Sequence, residues 1–290
     1  MMKKRYIFVL LAAVLMAWGC QEEIDSTKGK VVPTPGADVN FGASLAADVE
    51  TKTIYGTESN NVFPILWLSG DQVFIASPQC RENFNEGTFS VPSEANNRDY
   101  AGSFTKVSGA VQWGSTAADF YSIYPQREGA YEVKTASGFS ATNAIFELNM
   151  PSTQTCVVAG ATPVMTTADM NACFMYAKQT AVANGTSPVT LKYTPLSTAI
   201  RFVLQGSQNA DTVTISRIRL IGPSGAALSG QFQVKLDGTT PVVTPVSGKT
   251  SNIVTIFAQY EGGAYLQLSS GQSIELNAFI IPVSGLAINE

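Results

Sequence analysis

The chain offers few residues for covalent chemistry. It has four cysteines and no histidine. Without histidine there is no Ser-His-Asp triad, no Cys-His pair and no imidazole-ligated zinc. Cys20 is the cysteine whose surroundings specify a reaction. It closes Ala17-Trp18-Gly19-Cys20, two small residues around one tolerant position, at the end of an apolar run. The run resembles a bacterial lipobox, whose cysteine is diacylated and becomes the mature N-terminus. Acyl chains contribute ~0.8 kcal/mol per buried CH₂, so a multiply acylated Cys20 would anchor stably. The competing reading is an ordinary signal peptide with a chance cysteine.

The other candidates fail on spacing. Cys80, Cys156 and Cys173 form no C-x-x-C, which argues against a metal or thioredoxin-like site. An exported setting permits one disulfide among them; the expectation here is three small buried side chains. Gly248-Lys249-Thr250 matches the end of a P-loop, but Val243 stands where the first glycine belongs, and the flanks read as strand. Gly222-Pro223-Ser224-Gly225 lacks the spacing and the base of a nucleophile elbow and reads as a turn. No pair of acids stands out for glycosidase work. The chain is therefore expected to carry no catalytic residue, no metal and no cofactor.

The elements that position these residues start with Met1-Met2-Lys3-Lys4-Arg5, a basic head, and the uncharged run Tyr6 to Trp18. That run is short of the ~20 residues of a membrane-spanning helix and fits a signal-peptide core. Residues 1–19 are read as this peptide, and residues 20–38 as a flexible tether rich in Lys, Gly, Pro and Thr. The net charge is -4. Without Lys3, Lys4 and Arg5 the balance is 15 bases against 22 acids, or -7. Such a chain has no means of holding phosphate backbones, so nucleic acid is set aside as a partner.

The body reads as short strands. Val73 and Ile75 point one way and Phe74 the other. Ile200, Phe202 and Leu204 share a face opposite Arg201. Phe232, Val234 and Leu236 point inward, with Asp237-Gly238 as a positive-φ hairpin turn. Ile274, Leu276, Ala278 and Ile280 repeat the pattern, with Glu275 and Asn277 outward. The parity of Val213 and Ile215 is broken by Ile218 and Leu220, which predicts a bulge or break near Ser216-Arg217. Ala168 to Lys178 is the one stretch with any helical character. With 24 Gly and 14 Pro marking turns, the pattern predicts an all-β sandwich or barrel. The polar stretch Ala183 to Pro188 suggests a boundary between a first sandwich at 39–187 and a second at 188–290.

Several motifs in order carry a resemblance. Val39-Asn40-Phe41-Gly42-Ala43 precedes Thr51-Lys52-Thr53 and Trp67-Leu68-Ser69-Gly70-Asp71-Gln72-Val73. Phe120-Tyr121-Ser122-Ile123-Tyr124-Pro125 follows, then Pro195 to Phe202, Ile218-Arg219-Leu220 with Leu228-Ser229-Gly230-Gln231-Phe232, and Phe279-Ile280-Ile281-Pro282. Together they resemble the fimbrillin-like lipoproteins of the Bacteroidales, the type V pilins and their relatives. The acidic stretch Gln21-Glu22-Glu23-Ile24-Asp25 resembles the surface-export signal of Bacteroidota lipoproteins. Asp25-Ser26-Thr27 and Asp211-Thr212-Val213 resemble the short O-glycosylation pattern of secreted proteins from the same phylum.

The resemblance implies two tandem transthyretin-like β-sandwich domains on the outer membrane, lipid-anchored through Cys20. It also implies other pilin subunits as partners. A protease specific for Arg or Lys removes the first strand, and a partner's strand fills the groove by β-strand addition. Family members usually carry arginine at the cut; Lys52 is the nearest match here. The family continues beyond the alternating stretch Leu286 to Glu290, so the second sandwich is expected to be incomplete, with an unfilled edge. The alternative is a non-polymerising adhesin or glycan-binding lipoprotein with a host or bacterial surface ligand, for which exposed Trp113 and Tyr131 would speak.

Overall fold

Alternation of apolar and polar residues builds this molecule almost entirely from strands. A computed structural model describes residues 35–45, 54–55, 65–96, 98–158, 166–209 and 211–282. Cys20, Lys52, Asp25 and Leu286 to Glu290 lie outside the described residues. In chain order the strands are β1 (Phe41–Leu45), β2 (Ile54–Tyr55), β3 (Ile65–Leu66), β4 (Gln72–Ala76), β5 (Asn85–Ser90), β6 (Tyr100–Ala101), β7 (Thr105–Val111) and β8 (Ala118–Tyr124). Next come β9 (Lys134–Thr135), β10 (Ile145–Met150), β11 (Thr153–Val158), β12 (Thr166–Thr167), β13 (Met175–Val182), β14 (Val189–Pro195) and β15 (Thr198–Gln205). The last are β16 (Val213–Ile215), β17 (Arg217–Ile221), β18 (Ser229–Lys235), β19 (Val242–Ser251), β20 (Ile253–Tyr260), β21 (Leu266–Leu268) and β22 (Ser273–Ile280). All described residues belong to one unit, Pro33–Glu290.

The largest sheet has eight strands in the order β6-β1-β14-β13-β8-β4-β5-β7. Around β4 and β8 both of its faces are buried. On one, Phe41, Trp67, Val73, Ile75, Phe89, Phe120, Leu191 and Tyr193 form the first core. On the other, Phe74, Tyr121, Ile123 and Phe174 pack against Phe146 and Leu148 of β10 and Phe232 and Val234 of β18. β10 and β18 belong to a second sheet, β19-β18-β10-β9. Double burial explains why β4 and β8 are apolar at consecutive positions instead of alternating cleanly.

A third core lies between the sheet β12-β11-β20-β17 and the pairs β15-β22 and β16-β21. The chain changes sheets at Ser216, because β16 pairs with β21 while β17 pairs with β20. This is the break foreseen from the parity shift. Phe232, Val234 and Leu236 are buried as expected.

Three local expectations need revision. Ala168–Lys178 is no helix: it holds a single 3₁₀ turn, Met170–Ala172, and then enters β13. Its apolar residues face the second core, and tertiary packing overrides weak helical preference. Gly238 does not take a positive φ. It lies in a loop of six residues between β18 and β19, where Lys178 Nζ donates to the carbonyls of Asp237 and Gly238 at 3.0 and 2.9 Å. Asn277 is buried, because the end of β22 is covered on both faces. The stretch 183–188 is the turn between β13 and β14, which are neighbours in one sheet. β10 and β11, from residues 145–158, pair with β18 and β20 from the C-terminal part of the chain.

Gly230 shows how tightly the second sheet closes. Its φ is +101°, and a Cβ there would collide with the carbonyl of Lys249 on β19. The register between β18 and β19 shifts at this point. Gly230→Ala is expected to cost about 2–4 kcal/mol, from backbone strain plus steric clash. Urea unfolding of the variant reads this directly, and an unchanged midpoint would show that the bulge relaxes at no cost.

Candidate functional site

β1 is a short strand with an unusual seat. It runs parallel to β14 over five residue pairs, from Phe41↔Val189 to Leu45↔Tyr193. On its other side, among the described strands, lies the two-residue β6, antiparallel at Ala43↔Ala101 and Ser44↔Tyr100. Additional main-chain bonds come from loops: Phe104 N donates to Phe41 O at 2.7 Å, and Leu45 N to Asp99 O at 3.0 Å. Gly42 is required by the closeness of that loop, since a Cβ would sit 2.8 Å from the carbonyl of Gly102. Val39, Phe41 and Ala43 point into the first core. The Phe41 ring meets Phe89 and Phe120 edge-on, at centroid distances of 5.2 and 5.3 Å. Just before the strand, Asp38 bonds Lys106 Nζ at 3.2 Å and Gln112 Nε2 at 3.0 Å. These bonds hold its carboxyl below the usual value, the Gln112 bond most of all.

The floor beneath β1 and β14 is aromatic. Trp67 is fully buried and stands edge-on to Tyr193, Tyr124 and Phe104. Ser122 donates its one hydroxyl proton to Phe74 O at 2.8 Å, so in the 2.6 Å contact with Tyr193 the tyrosine donates. Burial raises the Tyr193 phenol, and burial with the charge of Asp71 raises that of Tyr124. The sign follows. Both groups hold their protons longer when folded, so their stabilisation is intact below the ordinary phenol pKa of about 10 and drains as pH climbs through the folded values. Unfolding midpoints are expected to fall from pH 9 to pH 11, and to fall less in Tyr193→Phe; equal slopes would remove Tyr193 as a cause.

A second feature is a groove of about 480 Å³ where β8 ends. Asp71, Gln72, Tyr124, Gln126, Arg127, Tyr131 and Asn171 line it. Tyr131 is exposed, whereas Trp113 is buried against Phe120. Of the two aromatics that would speak for an adhesin, only Tyr131 is available to a ligand. Nothing in the sequence singled out Arg127.

The third core is open on one side. Ile200, Phe202 and Leu204 of β15, and Ile218 and Leu220 of β17, are only half-buried. Their partners Ile274, Leu276 and Ala278 on β22, and Val254 and Ile256 on β20, are fully buried.

Chemically the described residues hold no cluster of three or more His, Cys, Asp or Glu suited to a metal. Cys80, Cys156 and Cys173 are buried thiols. Burial raises the Cys80 thiol, against a reactive role. Gly248-Lys249-Thr250 lies on β19, not at a strand-to-helix turn. What the arrangement offers is main-chain pairing and surface contact.

No family model matches the chain. No curated protein matches it. Among solved structures, the chain is similar to a candidate cell adhesion protein from Bacteroides uniformis, at 16% identity and a TM-score of 0.45, covering 87% of this chain and 77% of that one. It is also similar to a fimbrilin from Porphyromonas gingivalis, at 10% identity and a TM-score of 0.34, covering 89% of this chain and 75% of that one.

Proposed function

We propose that this chain is a fimbrillin-like surface lipoprotein, a structural or accessory subunit of a type V pilus assembled by strand exchange. In this reading Cys20 carries the lipid, and a cut after Lys52 frees the segment that ends in β1. The observation that carries the reading is the seat of β1. The strand is near the N-terminus, precedes Lys52, and fills an apolar slot with Val39, Phe41 and Ala43. Among the described residues its strand partners are β14 and the two-residue β6. Removing it would bare the edge of β14 above an aromatic floor. An incoming strand with apolar residues at alternate positions would replace both its hydrogen bonds and its side chains.

The two-sandwich layout belongs to the same proposal, with the first sandwich built on the eight-stranded sheet and the second around the third core.

The test is intact-mass analysis of the protein from its native surface, before and after mild trypsin, with an unboiled sizing gel. Loss of the segment up to Lys52 with an SDS-resistant ladder supports strand exchange. A lipidated, uncut monomer that never ladders rules out the shaft role and leaves an adhesin on the same scaffold.

A further inference from the structure

The groove at the end of β8 holds a guanidinium that the fold leaves unmet. Arg127 is half-buried, and among the described residues its donors reach no hydrogen-bond acceptor and no ion-pair partner. Of the nearby carboxylates, Asp71 and Asp169 are committed elsewhere, and Glu128 stands exposed at the groove's rim. Asp71 accepts from Leu68 N at 2.7 Å and from Tyr124 Oη at 3.3 Å. Asp169 accepts from Thr155 N and Asn171 N, both at 3.1 Å. Burial pulls the Arg127 guanidinium below its ordinary value, and Asp169, Tyr124 and Tyr131 offset only part of that pull. A half-desolvated planar fork with unmet donors is built for a carboxylate taken in two-pronged fashion.

The rest of the lining narrows the ligand. Tyr131 presents an exposed ring. Gln126 Oε1 accepts from Val133 N at 3.0 Å, which leaves its amide N–H₂ to donate. The side-chain amides of Gln72 and Asn171 make no hydrogen bond among the described residues. An aromatic face beside several side-chain amides suits a pyranose ring with hydroxyls. A peptide carboxylate would want an open strand edge, and β4, the strand that opens on this groove, is already paired on both sides, by β5 and β8.

We propose that this groove binds a carboxylate-bearing saccharide. The Arg127 fork takes the carboxylate, the Tyr131 ring lies against the sugar face, and Gln72, Gln126 and Asn171 meet the hydroxyls. The site needs neither lipidation nor strand exchange, so it stands whether or not the pilus reading does.

The test is an NMR titration of the folded chain with glucuronic acid, and in parallel with glucose, acetate and a tripeptide bearing a free C-terminus. Glucuronic acid should bind saturably and shift signals at Arg127 and Tyr131, and glucose should bind about tenfold more weakly. Arg127→Gln should weaken the acid by about tenfold or more, and Arg127→Lys, which keeps the charge and loses the fork, by a similar factor. Tyr131→Ala, at an exposed ring, gives an independent loss of about threefold or more without threatening the fold. Thermal midpoints check that each variant is folded. The proposal is overturned if the Arg127 variants bind as tightly as the parent, if acetate or the tripeptide matches the acidic sugar, or if no acidic sugar saturates.

Discussion

Phe41→Ala is expected to lower the folding stability by about 4 kcal/mol, the usual cost of truncating a buried phenylalanine to alanine. Phe41 is 1% exposed and touches Phe89 and Phe120 edge-on. The parallel partner β14 lies beside its backbone, so the ring's space cannot be filled by a simple rotamer change. The measurement is urea unfolding with an unchanged slope. The same variant separates two roles for β1. If β1 is only structural, a chain cut after Lys52 keeps its fragment in both parent and variant. If β1 is the exchangeable strand, the cut variant sheds the fragment faster and accepts a competing peptide sooner. A loss below about 1 kcal/mol would mean that the slot collapses around the deletion and that β1 contributes little to the first core.

Much of the strand content was legible, because alternation is a local property. Phe232, Val234 and Leu236 needed only period two, and the sheet change at Ser216 needed only a parity shift. What alternation cannot show is which face is covered twice. Asn277 reads as outward by parity, yet it is buried where Phe279 and Ile281 turn into the second core on the other face of β22. Ala168 to Lys178 was ambiguous because a short apolar run that crosses a 3₁₀ turn into a strand carries no single period to read. Nor does local pattern reveal long-range pairing. β1 and β14 are separated by well over a hundred residues and run parallel, and β11 finds its parallel partner β20 across about a hundred. Of the candidate site, the β1 stretch follows from local motif and could be named in advance. Arg127 could not, because its interest lies in what surrounds it and leaves it unmet, and those residues come from four separate loops and strands.

The third core raises a question of edges. β22 pairs with β15 on one side, and Gln154 occupies the other. Gln154 is fully buried on β11. Its Nε2 donates to Phe279 O at 2.6 Å, and its Oε1 accepts from Phe279 N at 2.8 Å. One side chain thus does for this edge what a neighbouring strand would do, and it joins β11 to β22. Cys156, two residues on, donates to Asn277 O at 3.3 Å and continues the same substitute ladder. A capped edge does not recruit further strands, which suits a molecule whose other edges, on β15 and β17, show half-buried apolar side chains.

Gln154→Leu keeps the approximate volume and removes both bonds to Phe279. Each buried main-chain group stripped of its bond costs about 1–3 kcal/mol, so the variant is expected to lose about 2–6 kcal/mol in chemical unfolding. Hydrogen exchange locates the loss: the Phe279 amide should exchange faster while amides in the eight-stranded sheet change only with global stability. Gln154→Glu gives a signature that a packing defect would not. A protonated glutamic acid offers one donor and one acceptor, as the glutamine does, whereas the carboxylate offers acceptors only and is costly to bury. Burial raises the folded-state pKa of that new acid above its unfolded value of about 4.3, so the folded chain binds the proton more tightly. The penalty is therefore full at high pH and shrinks as pH falls through the raised value. Gln154→Glu should lie well below the parent in stability at pH 8 and close much of the gap by about pH 5, while Gln154→Leu shows the same deficit at both. A Gln154→Glu deficit that does not narrow on acidification would mean that the side chain is held by packing alone and that the pairing with Phe279 is incidental.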